Sequence, residues 1–144
     1  MRIYLDNCCF NRPFDNQNQL KIQLETKAKL HIQDLIKKGM YELVWSFMLD
    51  FENGLNPYPD KKDAIQKWED IAKYYCKPSV EINQLSKEIL SLNIRKKDSL
   101  QIACAIVSNA TYFITTDKGL LNKNKEVQGI TIISPQEFIS EMEV

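Results

Sequence analysis

Three aspartates stand where a chain of alternating strands and helices would deliver side chains to one edge of a sheet. Asp6 ends the apolar run in "RIYLD" and Asp117 ends the β-branched, aromatic run in "TYFITTD". Asp98 opens "DSLQIACAIVSNA", the helical stretch just before that second run. Taken singly, each has a plainer reading. Asp98 suits a helix N-cap, and Asp6 and Asp117 suit the turn after a strand. Three at equivalent points predict a site. A fourth acid is expected from "FMLDFENG", the short helix after the next strand. Its acids, Asp50 and Glu52, lie about 200° apart on a helix, so only one faces inward. Glu52 shares a face with Met48 and Leu49, which selects Glu52 and leaves Asp50 toward solvent.

Carboxylates at close quarters repel one another. The cluster is stable when protons or a divalent cation neutralise it. All-oxygen ligands suit Mg²⁺ or Mn²⁺ rather than zinc. Such an ion activates water and stabilises charge on a phosphoryl group, so phosphodiester hydrolysis is the expected reaction class. Other chemistries find little support. The single histidine, His31, lies within a helical pattern and supplies no acid–base pair. Neither GxxxxGK[ST] nor GxGxxG occurs. "DNC" lacks the second aspartate of a phosphoaspartate-forming hydrolase. Cys8, Cys9, Cys76 and Cys104 are not spaced as metal ligands and read as small, reduced hydrophobes.

The elements that must position these acids can be read in order. "RIYL" and "YELVW" are strand-like, and "LETKAKLHIQDLIKK" has a helical period with Leu24, Ala28, His31/Ile32 and Leu35/Ile36 on one face. Gly39 suits the stop of that helix, and Ser46 suits the N-cap of the next. Beyond the loop "NPYPD", Ala64/Ile65, Trp68, Ile71/Ala72 and Tyr75 predict a helical stripe. "INQLSKEILSL" and "DSLQIACAIVSNA" predict two more helices. The strands "TYFITTD" and "ITIIS" follow, then a capping box, Ser134-Pro135-Gln136-Glu137, opens a last helix. Strands separated by helices predict an α/β fold with a central parallel sheet covered on both faces. Ligands of such sheets bind at the carboxyl ends of strands, where strand order reverses.

The chain has 144 residues, 44% hydrophobic and 26% charged, which fits a single domain over 1–144. Lys+Arg and Asp+Glu both number 19, so nucleic-acid binding would need a local basic patch. No segment approaches the ~20 apolar residues of a membrane helix. "MRIYLDN" turns polar too early for a signal peptide, so a cytoplasmic location without membrane attachment is expected.

The ordered set "IYLDNCCF", "SFMLDFE", "DSLQIACAIVSNA" and "FITTDKGLL" resembles a PIN domain, over Arg2 to about Phe138. The resemblance implies a three-layer α/β/α, Rossmann-like fold and Mg²⁺- or Mn²⁺-dependent ribonuclease activity. It implies that Asp6, Glu52, Asp98 and Asp117 hold the metal and that Thr115, in Thr115-Thr116-Asp117, supports them by hydrogen bonding. Many small members resemble VapC-type toxins, which implies an antitoxin partner and a homodimer. Asn7 departs from the Thr or Ser that commonly follows the first aspartate.

Arg95, Lys96 and Lys97 directly precede Asp98. Cations at a helix N-terminus oppose the helix dipole, which suggests another use, the steering of a phosphate backbone. Lys118 and Arg12 are candidates to join them as substrate-binding residues. Tyr74 and Tyr75 are candidate base-stacking residues, with core packing the better reading for Tyr75 on its apolar stripe, and "NRPFDNQNQ" is either a substrate or partner loop or a plain surface loop. The expected function is a metal-dependent endoribonuclease acting as a toxin. The alternative is a non-catalytic PIN-like module that binds RNA or protein.

Overall fold

The computed structural model describes residues 1–143. Five parallel strands form one sheet: β1 (Arg2–Leu5), β2 (Glu42–Ser46), β3 (Tyr74–Cys76), β4 (Tyr112–Ile114) and β5 (Thr131–Ile133). Their order is β3-β2-β1-β4-β5. The chain builds outward from β1 on one side and then returns to build outward on the other. The reversal therefore falls between β1 and β4, where the rule for open sheets puts a ligand. β1 is central, which explains why Ile3, Tyr4 and Leu5 form an unbroken apolar run without polar alternation.

Helices cover both faces, giving the three-layer α/β/α arrangement. α2 (Leu20–Lys37) packs with α9 (Pro135–Met142), and α6 (Val80–Leu90) packs with α7 (Lys96–Val107). α3 (Phe47–Gly54) and α4 (Pro59–Gln66) lie between β2 and β3, followed by the single turn α5 (Trp68–Ile71). A short α8 (Lys118–Leu121) follows β4. Local chemistry sets several boundaries. Ser46, Ser79 and Ser134 cap α3, α6 and α9 through the backbone N–H groups of Leu49, Ile82 and Glu137. Gly39, at φ +81°, turns the chain after α2 as expected.

Three expectations are corrected. Tyr75 belongs to β3, not to a helical stripe, because a three-residue edge strand leaves no periodic signal. A short helix, α1 (Asn7–Asn11), and a 3₁₀ turn (Arg12–Phe14) follow β1 in the stretch read as a loop. Leu24 and His31 are exposed, whereas Ile32 and Ile36 of the expected face are buried and are joined there by Glu25, Lys29 and Gln33. The buried charge on that face is met from outside the helix: Glu25 accepts from Arg12 Nε at 3.0 Å, and Lys29 Nζ lies 5.5 Å from the centroid of the Phe10 ring.

Candidate active site

Sheet register brings the first two site residues together. Leu5 pairs with Ile114, so the next residues, Asp6 and Thr115, leave β1 and β4 side by side. Asp6 N–H donates to Ile114 O at 2.9 Å, extending the ladder by one residue. Although Asp6 occupies the N-cap position of α1, its carboxylate makes no cap bond. It instead accepts from Thr115 Oγ1 at 2.9 Å, and the same Oγ1 accepts from Asp117 N–H at 3.0 Å. Thr115 thus ties the side chain of one aspartate to the backbone of another. Asp6 is buried, and burial pushes its pKa well above the usual range. Nearby Cys8, Glu52 and Asp98 push in the same direction, while the Thr115 hydrogen bond opposes them.

Glu52 reaches the site from α3. Its Oε1 accepts from Gln101 Nε2 at 2.9 Å. Gln101 Oε1 accepts in turn from the Tyr4 hydroxyl, which contacts Ser46 Oγ at 2.6 Å. A fully satisfied polar chain therefore runs from the sheet core to this carboxylate. Gln101 was missed in the sequence, yet it lies one turn beyond Asp98 on α7, where a face-by-face reading would find it. Asp50 points elsewhere. It accepts from Trp45 Nε1 and Gln66 Nε2, both at 2.8 Å, and from the Tyr75 hydroxyl. Burial alone would raise its pKa, but the donors Tyr75, Trp45 and Gln66 outweigh that and hold it low. Glu52 lines the cavity and Asp50 does not, and Asp50 is tethered rather than simply solvated.

Asp98 sits in the first turn of α7 and is not its N-cap, a position that Arg95 occupies. Burial raises its pKa against the opposing pull of Arg95. Asp117 caps α8, with Oδ1 accepting from Gly119 N–H at 2.8 Å and Leu120 N–H at 3.3 Å. A Cβ on Gly119 would stand 3.1 Å from that oxygen, so glycine lets the carboxylate close on the helix. The other oxygen of Asp117 accepts from Arg95 Nη2 at 2.7 Å, while Arg95 Nε donates to Asp98 at 2.9 Å.

All four acids line one cavity of about 460 Å³, together with Asn7, Cys8, Arg95, Lys96 and Lys97. The basic run before α7 therefore borders the acids. Arg12 and Lys118 do not line the cavity. Arg12 is held by Asp15 at 2.8 Å and by buried Glu25 at 3.0 Å, and Lys118 opens α8. The candidate stacking residues also lie elsewhere: the Arg2 guanidinium covers the Tyr74 ring, and the Tyr75 hydroxyl is bound to Asp50.

The donor set is chemically suited to a hard dication. Its four acidic side chains offer only oxygen, and buried Asn7 Oδ1 has no hydrogen-bond partner among the described residues. As placed, no three His, Cys, Asp or Glu side chains among the described residues are close enough to enclose an ion. The Arg95 guanidinium bridges two of the four acids instead.

No family model and no curated protein matches this chain. Its architecture does have counterparts among solved structures, and those define it as an α/β protein of PIN-like fold. A chain of VapBC-1 from nontypeable Haemophilus influenzae is 17% identical, with a TM-score of 0.61 over 94% of this chain and 98% of that one. A chain of VapBC2 from Rickettsia felis, solved bound to a DNA fragment from its promoter, is 13% identical, with a TM-score of 0.58 over 93% and 98%. The fold implied by the sequence motifs is thus the fold observed. No helix of the described residues is long and apolar enough to cross a membrane.

Proposed function

We propose that this protein is a divalent-metal-dependent endoribonuclease, the toxin of a toxin–antitoxin pair. One observation carries the reading. Four carboxylates from four separate elements open into one cavity at the carboxyl ends of β1 and β4, the reversal point of the sheet. A purely structural scaffold gains nothing from gathering mutually repelling acids there. The VapBC assemblies of the same fold support a nuclease toxin and an antitoxin partner.

In this reading Asp6, Glu52, Asp98 and Asp117 hold Mg²⁺ or Mn²⁺. The bound cation supplies Lewis acidity toward a phosphodiester and a water of lowered pKa. Thr115 fixes the rotamer of Asp6, and Gln101 fixes that of Glu52. Lys96 and Lys97 draw the RNA backbone to a protein whose net charge is zero. Arg95, which bonds both Asp98 and Asp117, would be free to pair with a phosphate were those two acids neutralised by a cation. The antitoxin would silence the enzyme by covering the cavity mouth, and the toxin itself would be a homodimer.

The test is a panel of labelled RNA, DNA and a phosphomonoester, incubated with Mn²⁺ and with chelator. Metal-dependent internal cleavage of RNA supports the reading. Cleavage of DNA or of the monoester alone replaces it with another phosphoesterase. The Arg95 bridge favours one second reading, a non-catalytic RNA- or protein-binding module in which the guanidinium serves as the permanent counterion. Calorimetry with Mn²⁺ separates the two, because that module would bind no metal.

A further inference from the structure

A second groove, of about 320 Å³, opens directly from the acid cavity, and Asn7, Glu52 and Lys97 line both. It runs along α1 and the 3₁₀ turn to Phe14, roughly 10 Å at helical rise. The loop Leu55–Tyr58 and Lys61 form its other wall.

Its chemistry differs from that of the acid cavity. Tyr58 and Phe14 are 59% and 40% exposed. Single exposed aromatics are ordinary, but these two come from different elements and share one cation. Lys61 Nζ stands 4.3 Å from the centroid of the Tyr58 ring and 5.9 Å from that of Phe14. Between the rings and the acids lie two amides. Asn11 Nδ2 is committed to Asn7 O at 3.0 Å, and Asn56 Oδ1 to Tyr58 N–H at 3.0 Å. The remaining donor, Asn56 Nδ2, and acceptor, Asn11 Oδ1, meet only at 3.5 Å, the limit of a hydrogen bond. A donor and an acceptor side by side, weakly satisfied by each other, complement the edge of a nucleobase. Lys97 and Lys61 place positive charge along the groove, while the rim acid Asp15 is paired with Arg12 at 2.8 Å.

We infer that this groove is a nucleobase subsite. One unpaired base, next to the phosphate over the acids, stacks against Tyr58 and Phe14 and presents its edge to Asn11 and Asn56. The substrate class is then single-stranded RNA, because a base within a duplex offers no free face for stacking. This inference rests on the ribonuclease reading. A docked protein segment is the competing occupant, but the amide lining and the opening onto the phosphate-handling cavity favour a nucleotide.

The test is fluorescence anisotropy of short labelled oligo-A, oligo-C and oligo-U in chelator, followed by cleavage in Mn²⁺. The proteins are the wild type, Tyr58→Ala, Tyr58→Phe and Asn56→Ala. Tyr58→Ala should weaken binding roughly tenfold, the loss of one stacked base, and Tyr58→Phe should restore it. Asn56→Ala should change the ranking of the three oligonucleotides. Equal binding by wild type and Tyr58→Ala, with cleavage intact, overturns the subsite alone and returns the groove to a protein partner. Tyr58-dependent binding without cleavage leaves the subsite standing and overturns the nuclease reading. A wild type that binds none of the oligonucleotides overturns both. Because Tyr58 is exposed, thermal melting should be unchanged in its variants, which excludes unfolding as the cause.

Discussion

Asp98 and Asp117 are joined through one guanidinium: Arg95 Nε donates to Asp98 Oδ2 at 2.9 Å, and Arg95 Nη2 donates to Asp117 Oδ2 at 2.7 Å. The fork does for these two acids what a divalent cation would do, so a cation held as proposed would compete with Arg95 for the same oxygens. Arg95 is also 74% exposed, which leaves it free to swing away and keeps each ion pair weak.

Removing Arg95 should therefore help metal and harm substrate. Arg95→Ala is expected to bind Mn²⁺ roughly threefold more tightly by calorimetry, given the small worth of exposed ion pairs. RNA cleavage at subsaturating substrate should fall. Unchanged Mn²⁺ affinity would mean that the ion does not share oxygens with the guanidinium.

Asp6→Asn and Asp98→Asn should each lower cleavage by more than about a hundredfold, since charge stabilisation by a bound cation is worth several kcal/mol. Neither should unfold the protein. Burial disfavours both carboxylates, so a neutral amide relieves a cost. Melting temperatures equal to or above wild type, with activity lost, are the expected pair of results. Full activity in either variant would remove that residue from the site.

Thr115 serves two aspartates through one oxygen. Thr115→Val keeps the shape but leaves a buried carboxylate oxygen and a backbone N–H without partners. The expected loss is about 1–3 kcal/mol of stability and about 10- to 100-fold in Mn²⁺ affinity. Thr115→Ser, which retains the hydroxyl, should recover most of both. Denaturant melts and calorimetry on the same samples check this.

Lys29 is 4% exposed, and burial lowers its pKa to about 8. Between that value and the ordinary ~10.4, the folded chain binds fewer protons than the unfolded chain. Stability must then rise with pH across this window, and below it the full penalty of about 3 kcal/mol applies. Lys29→Met should raise the melting temperature at neutral pH by about 5–10 °C. The gain over wild type should shrink as pH climbs from about 8 toward 10. A constant gain across that range would show that Lys29 is not buried as a charge.

The sequence by itself determined much of the framework. Asp6, Asp98 and Asp117 follow or begin elements, and Glu52 lies within one, whose patterns are strong, because apolar runs, serine caps and a proline at the first helical position act locally. The alternation of those elements was enough to expect a parallel sheet, and with it an edge where Asp6 and Asp117 would meet. The face shared with Met48 and Leu49 was enough to expect Glu52, which lines the cavity, rather than Asp50, which does not. What remained depended on groups distant in sequence. The three-residue β3 exists only because β2 offers it a ladder. The pairing of Leu5 with Ile114 places Thr115 against Asp6, a relationship that no spacing encodes. Arg12 looked like a free cation until the fold buried Glu25 beside it. Arg95 looked like one more cation steering phosphate until its fork closed on two of the acids. Local pattern measures what a residue can do, and charge pairing is decided only by which partner the tertiary fold brings within reach.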